Sequence, residues 1–160
     1  MLLNSMKHIK FIVQSQNAKQ TEQLGERLAK KASGGEVIQL ISDLGGGKTT
    51  FTRGFVRGVQ STDIVSSPTF TVSNQYQGNK FMVYHFDFYR LQDPGIVANE
   101  LKEVTEEPNA VVIIEWADAV KDVLPEDTIK INFEPSGDTT RTLVILAPAS
   151  KLYLLEGLLA

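Results

Sequence analysis

The sequence predicts an α/β fold built round a phosphate-binding loop, and two stretches carry that prediction. The first is Ser42-Asp43-Leu44-Gly45-Gly46-Gly47-Lys48-Thr49-Thr50, which follows the apolar run Val37-Ile38-Gln39-Leu40-Ile41 and precedes Phe51, Phe55 and Val59 at helical spacing. A strand, a glycine turn, Lys-Thr and a helix are the parts of a loop whose successive backbone N–H groups curl round phosphate oxygens. The helix N-terminus adds partial positive charge, Lys48 a full one, and Thr49 a hydroxyl that can reach Mg²⁺. The second stretch is Ala110-Val111-Val112-Ile113-Ile114-Glu115-Trp116, an apolar run read as a strand buried on both faces. It closes on a carboxylate, where such a fold needs an acid to hold Mg²⁺ or to polarise a water.

Each stretch has a plainer reading. The usual loop pattern is G-x-x-x-x-G-K-[ST], and its first glycine falls at position 42, where this chain has Ser42. The Gly-Lys-Thr tripeptide alone is a weak signal that a glycine turn with a surface lysine would also satisfy. Glu115 read by itself is a strand-end carboxylate in solvent. Placement between a strand-like and a helix-like run is what favours nucleotide binding.

The remaining elements follow in order. Lys10–Val13 reads as a short edge strand. Ser15-Gln16-Asn17 offers N-cap residues for an amphipathic helix from about Ala18 to Ala32, with Thr21, Leu24, Leu28 and Ala32 inward and Gly34-Gly35 ending it. The loop leads into a helix from Lys48 to Gly58, on which Arg53 and Arg57 sit four apart, toward solvent or a partner. Pro68 marks a turn or strand entry, leaving Thr69 where a connection meets the next strand. A hydroxyl there can sense Mg²⁺ or a terminal phosphate; an ST-turn or strand cap is an equal alternative. Phe70, Val72 and Tyr76 alternate with polar residues, Gln77-Gly78-Asn79 turns, and residues 80–87 form the hairpin partner. That strand ends in His85 and Asp87, two apart and so on one face.

Asp93-Pro94 starts a helix with Val97, Leu101 and Val104 inward. Residues 118–124 read as a short helix. Two further strands, Thr128–Phe133 and Arg141–Leu146, meet at Ser136-Gly137-Asp138. Ser150 caps a final helix with Leu152, Leu155 and Leu159 inward.

A length of 160 residues fits one domain spanning 1–160. Cysteine is absent, which excludes a disulfide framework or thiolate metal site and fits a cytoplasmic protein. No apolar run approaches a membrane span and no signal-peptide core is expected at the N-terminus. With a net charge of −3 and scattered Lys and Arg, strong direct nucleic-acid binding is not expected.

Four blocks taken together resemble one family: Asp43–Thr50, Ser67-Pro68-Thr69-Phe70, His85-Phe86-Asp87-Phe88-Tyr89-Arg90-Leu91 and Ile114-Glu115-Trp116. That family is TsaE, the small bacterial P-loop ATPases needed to make N6-threonylcarbamoyladenosine in tRNA. The resemblance implies a P-loop NTPase fold, a three-layer α/β/α domain with a mixed, mainly parallel central sheet, binding ATP or ADP with Mg²⁺. Gly45, Gly46, Gly47, Asp43, Leu44 and Thr50 would form the nucleotide cradle. Lys48 matches the phosphate lysine, Thr49 and Glu115 the magnesium positions, Asp87 and Thr69 other polar positions shaping hydrolysis, and Trp116 the adjacent aromatic. Ser15, Asn17 and Thr21 lie where relatives contact adenine. The implied partners are TsaB and TsaD, with tRNA met only indirectly, at adenosine 37 of tRNAs reading codons that begin with A. Hydrolysis is implied to reset the complex.

Family loops read G-x-L-G-A-G-K-T, and here Ser42 and Gly46 stand for the Gly and Ala. Ser42 is therefore expected to strain the turn and weaken affinity, and Gly46 to loosen it. The helix after the Tyr-Arg-Leu block also lacks an expected Leu-Gly pattern. The main alternative function is a P-loop small-molecule kinase, disfavoured because no Arg-rich lid segment is found. A GTPase switch is the other: Asn79-Lys80 begins the guanine-reading N-K-x-D motif, but Met82 stands in place of its Asp.

Overall fold

The protein is seen in a computed structural model that describes residues 7–43, 45–68, 72–89, 91, 93 and 95–158. In chain order the elements are β1 (His8–Ser15), α1 (Ala18–Lys31), β2 (Val37–Ile41), α2 (Lys48–Gly58), β3 (Ser73–Gln77), β4 (Met82–Asp87), α3 (Gly95–Thr105), β5 (Ala110–Glu115), β6 (Ile129–Pro135) and β7 (Arg141–Pro148). Two 3₁₀ helices, Ala117–Val120 and Ala149–Leu158, complete them. The strands form one sheet in the order β1-β7-β6-β2-β5-β4-β3. Pairing is parallel from β6 through β2 and β5 to β4 and antiparallel at both flanks. The sheet is mixed, as expected, with its parallel part confined to the centre.

β5 explains that centre. All six of its residues are buried. Val111 and Ile113 enter the core under α1 and α2, while Val112 and Ile114 enter the core on the α3 side. A run apolar on both faces, as over 110–114, is stable only with a layer on each side, and each large side chain in it contributes about 1.5–3 kcal/mol by leaving water. Three layers follow.

The α1–α2 contact is tighter than periodicity alone suggested. A Cβ on Gly54 would lie 1.8 Å from the Glu22 carbonyl oxygen, and one on Gly25 2.1 Å from that of Phe51. The helices touch backbone to backbone there. Arg57 lies on the solvated side, as expected, and also bridges to α1: its guanidinium pairs with Glu22 and, at 2.9 Å, with Glu26. Arg53 stays exposed.

Boundaries differ from those expected, most at the two ends of the chain and after β5. β1 is longer than the expected edge strand because its whole length pairs with β7. The helix expected over 118–124 is a 3₁₀ turn, Ala117–Val120. The C-terminal segment is also 3₁₀, so its inward set is Leu154, Leu155 and Leu158, with Leu152 half-buried. With three residues per turn, the inward positions drift from those of a 3.6-residue period. Leu159, Phe70, Thr69, Leu44 and Arg90 lie outside the described residues.

Candidate active site

The phosphate loop joins the C-terminal end of β2 to α2. Gly47 caps that helix at φ 106, and Gly45 has φ 78, both in the left-handed region that favours glycine. Lys48 opens α2 and is buried to 7 % exposure. Its ammonium donates to the Ser42 carbonyl at 3.0 Å and lies 4.4 Å from the centroid of the Trp116 ring. Burial lowers its pKa below the ordinary lysine value, an effect partly offset by the carboxylates of Glu115, Asp87 and Asp43.

Those acids arrive through sheet register. β4 and β5 run parallel with Asp87 beside Glu115, and Leu40 of β2 is the opposite neighbour of Glu115. The Phe88 N–H donates to the Glu115 carbonyl at 3.1 Å, tying the two strand ends together. Asp87 and Glu115 are 4 % and 2 % exposed. Asp87 accepts the Tyr89 N–H at 2.9 Å. Trp116 follows Glu115 in the left-handed region at φ 54, an uncommon place for an aromatic residue, and its ring centroid lies 4.8 Å from that of Tyr89.

Gly45, Gly46, Gly47, Lys48, Thr49, Thr50, Ser67, Asp87, Glu115 and Trp116 together line a cleft of about 260 Å³. Sequence reasoning named all but Ser67 as site residues or neighbours. Asp43 lies exposed in the loop, where its carbonyl accepts the Gly46 N–H at 3.2 Å. Thr69 and Leu44 carry expectations that fall outside the described residues.

The donor set suits magnesium held partly by a nucleotide. Thr49 is half-buried in the cleft wall, and the buried Glu115 Oε1 atom has no hydrogen-bond partner among the described residues. A buried carboxylate oxygen left unpaired is costly unless something completes it. Among the described residues no cluster of three or more His, Asp or Glu forms a self-sufficient metal cage. One carboxylate and one hydroxyl beside phosphate-binding N–H groups match the habit of Mg²⁺ to take its other ligands from phosphate and water.

A second cleft of about 230 Å³ shares Gly45, Gly47 and Thr50 with the first and adds Ala18, Thr21, Asp138, Thr139 and Arg141. Ser15 and Asn17, expected against adenine, do not line it. Ser15 has no exposed surface, and its hydroxyl bonds the Asn17 carbonyl at 2.9 Å and the Thr21 hydroxyl at 2.7 Å. Asn17 caps α1 by accepting the Gln20 N–H at 2.9 Å. Both build the wall from behind, while Thr21 and the β6–β7 turn face the space. The turn residues had no local signal in the sequence. They lie some ninety positions beyond the loop and reach it only because β6 pairs with β2.

Ser42 does not strain the loop, contrary to expectation: it is absent from the residues with positive φ. Its hydroxyl donates to the Asp43 carbonyl at 2.8 Å. Gly46 likewise has ordinary φ, yet a Cβ there would lie 2.3 Å from the Ser42 Oγ and 2.5 Å from its Cβ. The Ser42 side chain fills the space that an alanine at 46 would need. Asn79 and Lys80 sit at the far end of β4 and line a separate groove with Lys30 and Gln60, so the fragment of a guanine motif is away from the loop.

Comparison with known proteins converges on one family. Residues 15–143 match the family described as Threonylcarbamoyl adenosine biosynthesis protein TsaE. The TsaE protein of Bacillus subtilis is 34% identical over 150 residues, covering 94% of this chain and 92% of its own. That of Haemophilus influenzae is 36% identical over 113 residues, covering 69% of this chain and 70% of its own. The crystal structure of Bacillus subtilis YdiB superimposes with a TM-score of 0.78 at 30% identity, covering 96% and 97% of the two chains.

Proposed function

This chain belongs to the TsaE family, and on that premise we propose that it is a Mg²⁺-dependent ATPase serving N6-threonylcarbamoyladenosine formation in tRNA. It is a single domain that acts in the cytoplasm with TsaB and TsaD. The pathway follows from the names of its relatives; the activity rests on the site. The observation that carries it is the register of β4 and β5, which sets Asp87 and Glu115 side by side in the cleft that Lys48 and Thr49 also line.

Bound ATP would lay its phosphates along the N–H groups of Gly45 to Thr49. Lys48 would leave the Ser42 carbonyl for phosphate, whose charge restores the proton affinity that burial lowers. Thr49 and Glu115 would hold Mg²⁺, which when bound neutralises charge developing on the phosphoryl oxygens. Asp87 would order the attacking water, and Thr21 with the β6–β7 turn would enclose the nucleoside. Among the described residues Lys48 is the one cationic side chain lining the phosphate cleft. In complex, TsaB–TsaD would add to the transition-state stabilisation that Lys48 and Mg²⁺ provide. No helix among the described residues is long and apolar enough to cross a membrane.

Phosphate release from ATP, measured with and without TsaB–TsaD, tests this for the native chain and Glu115→Ala. The partners should raise the rate and the substitution should abolish it. Undiminished hydrolysis by the variant would refute the role of Glu115, and phosphorylation of a metabolite without net hydrolysis would favour a kinase.

A further inference from the structure

We infer that His85 is a positioning residue for Glu115, holding its carboxylate from beneath the cleft. The inference rests on the reading that Glu115 serves magnesium. His85 stands two residues before Asp87 on β4, beside Ile113 of β5, on the sheet face that carries both acids. It has no exposed surface, and its Nε2 lies 3.5 Å from the Glu115 Oε2. Among the described residues neither ring nitrogen has a hydrogen-bond partner, and neither does the Glu115 Oε1.

Burial of an imidazole among apolar residues is unfavourable when its nitrogens go unpaired. On its own sheet face Val83 and Ile113 are fully buried and apolar, while its polar neighbours are Asn74, opposite on β3, and Asp87, two residues on, so the apolar packing by itself does not call for an imidazole. The carboxylate supplies what packing does not. A separation of 3.5 Å is just beyond a good hydrogen bond, and a movement of a few tenths of an ångström makes Nε2–H donate to Oε2 as a charge-assisted bond. An acid so tethered has one orientation and meets the cleft without reorganising. Groups that orient a metal-bearing acid in this way typically contribute 10–100-fold to metal affinity.

The test uses His85→Leu, which keeps apolar volume, and His85→Gln, whose amide N–H reaches a similar position to Nε2. ADP binding is measured by calorimetry with and without Mg²⁺, alongside kcat and KM for ATP with TsaB–TsaD and urea denaturation of the nucleotide-free protein. His85→Leu should leave Mg²⁺-free ADP affinity within about twofold. It should reduce the enhancement of binding by Mg²⁺, and kcat, by about tenfold or more, with KM little changed. His85→Gln should recover most of both. In urea, the changes from His85→Leu and Glu115→Gln should be less than additive when combined, a readout that needs no metal. A native-like Mg²⁺ enhancement and kcat in His85→Leu would overturn the inference while leaving the ATPase reading intact. Equal impairment of both His85 variants, with equal loss of urea stability, would also overturn it and make His85 a packing residue. Absence of any Mg²⁺ enhancement in the native chain would instead overturn the reading on which it rests.

Discussion

Ser42 and Gly46 form a coupled exchange, and a double-mutant cycle reads the coupling. Gly46→Ala places a Cβ 2.3 Å from the Ser42 Oγ, 2.5 Å from its Cβ and 3.1 Å from the Asp43 carbonyl. The hydroxyl can rotate away; the Ser42 Cβ cannot, so the loop itself must shift. Overpacking of this kind costs about 1–3 kcal/mol, and about 2 kcal/mol on the bound loop is a roughly thirtyfold loss of ADP affinity. Ser42→Gly loses the bond to the Asp43 carbonyl and stiffens nothing in return, for about 1 kcal/mol. Independent effects would sum to about 3 kcal/mol. The double variant instead removes the clash and gains the lower unfolded-state entropy of alanine, about 0.4–1 kcal/mol. It should lie within about 1 kcal/mol of the native protein, a coupling of about 2 kcal/mol. ADP calorimetry and urea denaturation on the four proteins measure it. Native-like binding by Gly46→Ala alone, or additive losses in the double variant, would refute the steric argument.

Lys48→Met should abolish ADP binding by calorimetry without lowering the melting temperature of the free protein. The folded-state pKa of Lys48 is lowered, so its charge opposes folding at neutral pH, and that penalty fades only as pH rises toward 10.5. Gly54→Ala forces a Cβ to within 1.8 Å of the Glu22 carbonyl and should destabilise by about 3 kcal/mol or more in urea, through separation of α1 from α2. Burial raises the Tyr153 pKa to about 12, together with the adjacent Glu36 carboxylate and against the contact with the Ser33 hydroxyl, and the Tyr153 hydroxyl donates to Glu36 at 2.7 Å. A raised folded pKa means that the contribution is full below pH 10 and is lost toward pH 12. Tyr153→Phe should flatten that part of the native stability profile. Burial pushes the Glu36 carboxyl up, but bonds from the Ser33 N–H, the Tyr153 hydroxyl and the Ser33 hydroxyl outweigh it and leave it low. Stability from Glu36 is thus present above about pH 4.5 and lost in acid, a loss that Glu36→Gln should remove from pH-dependent melts.

Much of the scaffold was legible because its signals are local. The loop between β2 and α2, the Asn17 cap and the apolar run of β5 that ends on Glu115 are each written in one short segment. The helices expected near 118–124 and at the C-terminal end are both 3₁₀; in the latter, leucines spaced by three or four fit either period over so short a run. Ser15 shows the complementary failure. The family resemblance put it where relatives contact adenine, whereas it has no exposed surface and its hydroxyl bonds the Asn17 carbonyl and the Thr21 hydroxyl.

By itself the sequence determined which residue types were present for phosphate chemistry: Lys48, Thr49, a glycine turn and carboxylates at two strand ends. Tertiary structure decided which of them meet. Parallel register set Asp87 against Glu115, the β6–β2 pairing brought Asp138 and Arg141 to the loop, and packing put His85 beneath the acid. It also turned two apparent defects at 42 and 46 into one fitted contact. The physical reason is that side-chain chemistry belongs to single residues, whereas contact depends on strand order and on which atom already occupies a given space.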